Sequence, residues 1–320
     1  MPIHSPGYRA WDGKLLAGQT RWAVISMTGI RRTWKSKWLR RMLFFAVMPT
    51  LVLAIPFFAF EQAIQNPATW QGARGLLNNV PQADALNELL AGDISNATPD
   101  QIQAARHDVW SFLLLTLFRY PQATLMVLVI GIAAPPLISN DVRSRAFLIY
   151  FSRPITRLEY ILGKMGTMVF FLGMITTLPA MSLYVVGVML SPNLDVIWAT
   201  WDLPLRILIA SVTLILPTTS MALMMSSMTS ESRYAGFAWF AVWILGFVMF
   251  QIIMGELGLS AEPGWRILLS PYHTLGVVQA WVFDLNTDES ILAPSAIILS
   301  LVTVISLAIL YHRVSSPMRA

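Results

Sequence analysis

Six stretches of the chain run for about the depth of a bilayer without one charged side chain. They are Met42–Phe60, Pro121–Ile138, Met165–Leu190, Ile207–Met228, Gly236–Met254 and Ile291–Tyr311, and none holds Asp, Glu, Lys, Arg or His. A hydrocarbon core about 30 Å thick takes roughly 20 apolar residues in a helix, and no backbone polar group can be left unpaired inside it. The runs therefore predict an all-α integral membrane protein with six transmembrane helices. Composition agrees: 56% of the residues are apolar and only 12% are charged, where a soluble domain carries about 25%. The chain has no Cys, which excludes disulfide scaffolds, thiolate catalysis, iron–sulfur clusters and Cys-ligated zinc.

A seventh apolar run, Val109–Phe118, is too short to cross. Arg119 and Pro121 separate it from the second span, so it reads as an interfacial or extended segment leading in. Lys and Arg set the orientation, because they favour the cytoplasmic side. Of the 22 basic residues, 17 fall in residues 1–41, in the loop 139–164, at Arg233 and in the tail. Most acids fall on the other face. Both termini are thus expected in the cytoplasm of a bacterial-type inner or plasma membrane. This divides the chain into a cytoplasmic segment 1–41, a six-span domain 42–311 and a tail 312–320. The larger exterior loops are 61–120 and 255–290.

The segment before the first span reads "TRWAVISMTGIRRTWKSKWLRR". Trp22, Ile30, Trp34 and Trp38 recur at helical spacing and share one face, with basic residues on the others. A basic helix with an aromatic face lies in the headgroup plane. Trp22, Trp34 and Trp38 are the expected membrane-interface anchors of such an elbow helix; a plain basic flank is the alternative. In the exterior loop, "PQADALNELLAGD" and "ATPDQIQAARHD" read as short helices, the second capped by Thr98 or Asp100. The apolar residues of "EPGWRILLSPYHTLGVVQAWVFDL" predict re-entrant or interfacial helices before the sixth span, broken at Ser270-Pro271.

Chemistry-bearing patterns are scarce. The chain has no phosphate-binding G-x-x-x-x-G-K-[ST], no metal spacing and no G-x-S-x-G elbow. The four His scatter through tails and loops. Polar residues inside the spans, such as Thr176, Thr177, Thr218, Thr219, Ser220 and Gln251, are expected to bond across helices or to their own backbone. Pro49, Pro56, Pro179 and Pro217 are expected kinks. Met221, Met224, Met225 and Met228 read as packing residues, since no His or Cys accompanies them. A metal role and a self-energised ion pump both lack residues to carry them. An enzyme acting by itself does too.

The cytoplasmic stretch between spans 2 and 3 is the exception: "ISNDVRSRAFLIYFSRPITRLEYILGK", Ile138–Lys164. Asn140 or Asp141 can cap a short helix through Arg143, Phe147 and Tyr150. Pro154 redirects the chain, and Thr156 with Glu159 forms a capping box that opens the third span. Arg153, Arg157 and Lys164 are expected at the headgroup level. This segment resembles the coupling loop of type-2 ABC exporter permeases (ABC-2 permeases). The residues that match are Ile138, Ser152, Pro154, Ile155, Arg157, Tyr160, Leu162, Gly163 and Lys164, with Asp141 at an acidic position; Arg145-Ala146 departs from the usual Gly-Thr. "MALMMSSMTSESRYAGFAWF" and "RILLSPYHTL" are similar to two further parts of that family.

The resemblance implies a permease subunit without ATPase activity or bound cofactor of its own. ATP and Mg would sit on a separate ABC ATPase subunit, and a second permease copy or a related permease would complete the pathway. It also implies docking of the loop onto the ATPase through Asp141, Arg143, Arg145, Phe147 and Tyr150. A secondary transporter or channel is the alternative, though no inverted repeat or intramembrane charge supports it. A non-transporting membrane scaffold would show similar docking motifs. The uncharged spans favour an amphiphilic or apolar cargo.

Overall fold

The computed structural model of the chain describes residues 20–66, 97–146, 155–191, 196–255, 264–285 and 287–315. Every regular element among these residues is helical. Six helices or near-continuous helical rods are long and apolar enough to cross a membrane: Lys37–Gln65, Pro99–Arg143, Arg157–Leu190, Leu203–Ser227, Ser232–Ile253 and Glu289–Val314. All six expected spans are present, each extended at one or both ends.

The amino-terminal segment forms two helices, α1 (Arg21–Trp34) and α2 (Lys37–Phe45). Ser36 separates them and accepts a hydrogen bond from Leu39 N, starting α2 afresh. Trp38 therefore lies on a different helix from Trp22 and Trp34, and the single Trp face expected from their spacing does not form. The first span continues through α3 (Met48–Gln65), with Pro49 at its start and Pro56 inside it.

The second span departs most from expectation. Helix α4 (Pro99–Leu117) begins at a capping box, Thr98 with Gln101, and passes through one π-helical turn, Phe118–Gln122. It continues as α5 (Ala123–Ala133) and α6 (Pro135–Arg143). The short helix, the apolar run and the span are one rod. Pro121 has no N–H to give and would strike the carbonyl one turn back; the extra residue of a π turn makes room without ending the helix. At about 1.5 Å per residue the rod is longer than a crossing needs.

Span 3 comprises α7 (Arg157–Ile175) and α8 (Thr177–Leu190), opening at the expected capping box of Thr156 and Glu159. It breaks at Thr176, three residues before Pro179, where the ring removes one helical bond. After a single turn, α9 (Val196–Ala199), come α10 (Leu203–Ser227) as span 4 and α11 (Ser232–Gly255) as span 5. A 3₁₀ segment, Gly264–Leu269, and α12 (Pro271–Val282) precede α13 (Glu289–Ser315), the sixth span. The break at Ser270 falls where it was expected. Helix α12 packs on α10, α11 and α13, so its apolar residues find protein partners.

Most span hydroxyls behave as expected. Thr176 and Thr218 donate to the carbonyls of Leu172 and Leu214, and Thr177 reaches across to Ser211. Span 4 is central, with 61% of its apolar window buried, whereas span 5 has only 11%.

Helix α1 does not lie free. It runs along α7 on a seam of small residues. A Cβ at Gly163 would lie 2.5 Å from the Cβ of Ile25, and one at Gly29 would lie 2.3 Å from Thr167 Oγ1. Across this seam Ser26 Oγ donates to the Gly163 carbonyl at 2.9 Å. Trp34 stacks near Phe171, 6.1 Å between ring centroids.

Two predictions follow from the packing. Gly163→Leu forces α1 off α7 and lowers stability by about 1–3 kcal/mol, read as a lower thermal midpoint in detergent. Gly173→Ala, where a Cβ meets almost nothing, leaves the midpoint in place. The second concerns His273 on α12, stacked on Phe250 at 3.6 Å. Burial, aided by Arg119, pushes its pKa down from 6.5 to about 4. The unfolded chain then binds a proton that the folded chain refuses, so stability is full above pH 6.5 and falls as pH drops from 6.5 toward 4. His273→Gln flattens that decline in a pH series of melts.

Candidate functional site

The basic end of the bundle gathers four elements: α1, the carboxyl end of the second-span rod, the start of α7, and the turn between α10 and α11. Their junction is built around a proline break. Pro135 and Pro136 supply no N–H, and the new helix α6 starts with orphan donors. Ser226, the penultimate residue of α10, serves them from another helix. Its Oγ donates to the Pro135 carbonyl at 2.6 Å and accepts from Ile138 N at 3.2 Å and Ser139 N at 3.1 Å. One hydroxyl thus closes the break and ties span 2 to span 4. Ser139 Oγ also donates to the Pro135 carbonyl.

Two turns further on, Asp141 points inward. Its Oδ2 accepts from Tyr160 Oη at 2.8 Å and pairs with Lys164 Nζ at 2.7 Å. The ammonium also donates to the Leu137 carbonyl at 2.7 Å and lies 5.2 Å from the Tyr160 ring centre. Tyr160 and Lys164 stand one turn apart on α7, so one helix face presents both to the carboxylate. All three side chains are buried or nearly so. Besides each other, the pair has one neutral donor, the Tyr160 hydroxyl, and one neutral acceptor, the Leu137 carbonyl, which offset part of the desolvation cost.

This placement revises several sequence readings. Asp141 is not a helix cap: α6 runs from Pro135 to Arg143, and Asp141 lies in its last turn. Lys164, expected at the headgroup level, is also the buried partner of Asp141. Sequence reasoning assigned the acid a role and missed both its partners. Arg143 is exposed and reaches Glu231, at the amino end of α11, at 3.8 Å. Arg145 is exposed in the turn after α6, with φ 52. That left-handed backbone is normally a glycine conformation, and Gly is the residue that the coupling-loop pattern has at this position. Phe147 and Tyr150 lie outside the described residues. Trp22 and Trp34 flank the α1–α7 seam and are partly exposed; Trp38 is the most exposed of the three.

The opposite end holds a second buried pair that sequence reasoning also missed. Arg106 forks onto Glu61, Nε to Oε1 at 2.9 Å and the second bond at 3.0 Å. Trp110 Nε1 donates to the same carboxylate at 3.2 Å. Glu61 is fully buried. Nearby, Asp202 accepts from His107 and Arg206; burial raises its pKa, but these bonds outweigh that and hold it below the usual range. Farther along the rod, Arg119 lies over the Tyr272 ring, 4.4 Å from its centre, and donates to the Tyr272 carbonyl at 2.9 Å. Gly276 makes room for it: a Cβ there would sit 1.3 Å from the guanidinium.

Six helices long and apolar enough to cross a membrane, with buried charge pairs near both ends of the second-span rod, make this a multi-pass membrane protein. The chain matches the family described as ABC-2 family transporter protein over residues 30–315, and it belongs to that family. A comparison with curated proteins finds no match.

The junction yields a stability prediction. Lys164→Met leaves the Asp141 carboxylate buried without its cation and destabilises the fold by about 3–5 kcal/mol. Adding Asp141→Leu to the same chain recovers most of that loss. A double-mutant cycle of thermal or urea melts measures both.

Proposed function

We propose that the chain is the permease subunit of an ATP-driven ABC exporter, working with a separate ATPase subunit and a second permease copy or a related permease. The observation that supports this reading most is the bracing around the loop that follows α6. Lys164 and Tyr160 hold Asp141 from span 3, Ser226 holds the Pro135 break from span 4, and Arg143 reaches the start of span 5. A push on that loop is delivered to four spans together, because none of these contacts is a long flexible side chain in water except Arg143. A lever of this kind is what a membrane subunit needs if its energy arrives from outside.

In this reading both termini and the loop face the cytoplasm, following the concentration of Lys and Arg at that end. Arg143, Arg145, Phe147 and Tyr150 meet the ATPase, and ATP with Mg is hydrolysed there. Asp141 acts at one remove: its carboxylate is spent inside the chain, so it positions the loop. The sparsely covered spans 5 and 6, with 11% and 22% of their windows buried, are left for lipid and the second permease. The uncharged spans suit an amphiphilic or apolar cargo.

The test is a tagged chain purified from its native membranes with its ATP hydrolysis measured. A partner carrying G-x-x-x-x-G-K-[ST] co-purifies with the wild type. Tyr150→Ala and Arg143→Glu reduce its recovery and the coupled ATPase rate about tenfold or more, with an unchanged melting midpoint for the permease. Asp141→Asn keeps the partner bound but uncouples hydrolysis from transport. A native-level preparation that contains no ATPase overturns the proposal and favours the secondary transporter or the scaffold.

A further inference from the structure

A cavity of about 440 Å³ opens at the basic end between α1, the α5–α6 break and the first turns of α7. Its walls are of two kinds. Val24, Ile25, Ile132 and Ile155 make an apolar side, while Arg32 and Lys164 bring cations to the rim and floor. The charge balance is unequal. Lys164 is neutralised by Asp141, but among the described residues no carboxylate stands within ion-pair distance of Arg32. Among the described residues the cavity therefore carries one uncompensated positive charge. Lys164 also has a donor to spare among the described residues: of its three N–H bonds, one goes to Leu137 and one to Asp141.

Its depth is fixed by the sequence on either side. Lys164 is the last charge before the uncharged run from Met165, and Arg40 and Arg41 are the last before the run from Met42. The cavity sits where charge gives out on two neighbouring segments, which is the level of lipid headgroups. The small-residue seam that brings α1 against α7 is what closes its back wall, since Gly29 lines both the seam and the cavity.

We propose that this cavity binds one anionic phospholipid of the leaflet at the basic end, phosphate on Arg32 and the free Lys164 N–H, with the start of an acyl chain along Ile132 and Val24. A basic pocket between helices at this depth fits a phosphorylated headgroup with a single net negative charge. The bound lipid would fill the wedge between the amino-terminal helix and the braced loop, so that its presence stiffens the same junction. The site requires the chain to cross a membrane, but not an ATPase partner, and its test is run without one.

The experiment is native mass spectrometry of the purified full chain, delipidated and titrated with phosphatidylglycerol or phosphatidylcholine. Wild type takes up one phosphatidylglycerol ahead of all others and prefers it to phosphatidylcholine. Arg32→Glu, on an exposed side chain, weakens that first binding about tenfold or more, and Val24→Trp, which fills the apolar side, weakens it without changing charge. Melting midpoints of lipid-free samples check that both variants are folded. Equal uptake of the first lipid by wild type and Arg32→Glu overturns the proposal. So does displacement of phosphatidylglycerol by millimolar inorganic phosphate, which would mark a site for a soluble anion.

Discussion

A carboxylate and an ammonium removed from water are tolerated only when hydrogen-bonding groups of the protein replace most of the water they lose. Asp141 and Lys164 satisfy that condition with groups drawn from two spans: the Tyr160 hydroxyl, the Leu137 carbonyl and each other. The consequence reaches beyond the pair. Because neither partner can be left alone, α6 and α7 cannot separate or slide past one another without exposing a bare charge to an apolar setting. The loop between them is therefore anchored at both ends by the same interaction. Helix α1 is carried along, since its seam with α7 includes Gly163, the residue before Lys164.

Prolines decide where the bundle bends, and hydroxyls decide whether the bends hold. At Pro135 the missing helical bonds are replaced by Ser226 from span 4, so the kink becomes a cross-link. At Thr176 the hydroxyl returns to Leu172, and the kink before Pro179 stays within its own span. At Pro121 the helix widens instead of breaking, which turns Arg119 toward Tyr272 and Gly276. Three similar sequence events thus give a joint between spans, a bend within one, and a docking point for α12.

Periodicity and charge made the six spans, the Thr156–Glu159 cap and the break at Ser270 legible, because each depends on residues close in sequence. What stayed hidden depends on partners far apart. Arg119 and Pro121 look like a boundary, and only the π turn, a backbone adjustment with no sequence mark of its own, carries the helix through them. Trp38 fits the face of Trp34 by spacing, yet Ser36 caps a new helix between them. Asp141 next to Asn140 looks like a cap because both residue types favour caps. Its true role is fixed by Tyr160 and Lys164, 19 and 23 positions away, whose one-turn spacing on α7 was the available clue. Glu61 and Arg106 sit just beyond the uncharged runs, where a charge normally meets solvent; the extra length of α3 and α4 brings them together instead.

The two buried pairs stand at opposite ends of the bundle and constrain different helices. Glu61–Arg106 fixes the first span against the amino-terminal part of the second-span rod, with Trp110 packed edge-on between Phe57 and Tyr184. Asp141–Lys164 fixes the other end of that rod against span 3. The rod is thus pinned at both ends, with the π turn and the cross-linked Pro135 break between the pins. Among the described residues, spans 5 and 6 bear no comparable buried pair along their length and are the least covered. A displacement entering through the loop after Arg143 would therefore meet spans 2, 3 and 4 as one tied body, because Asp141–Lys164 joins the first two and Ser226 joins span 4 to the Pro135 break.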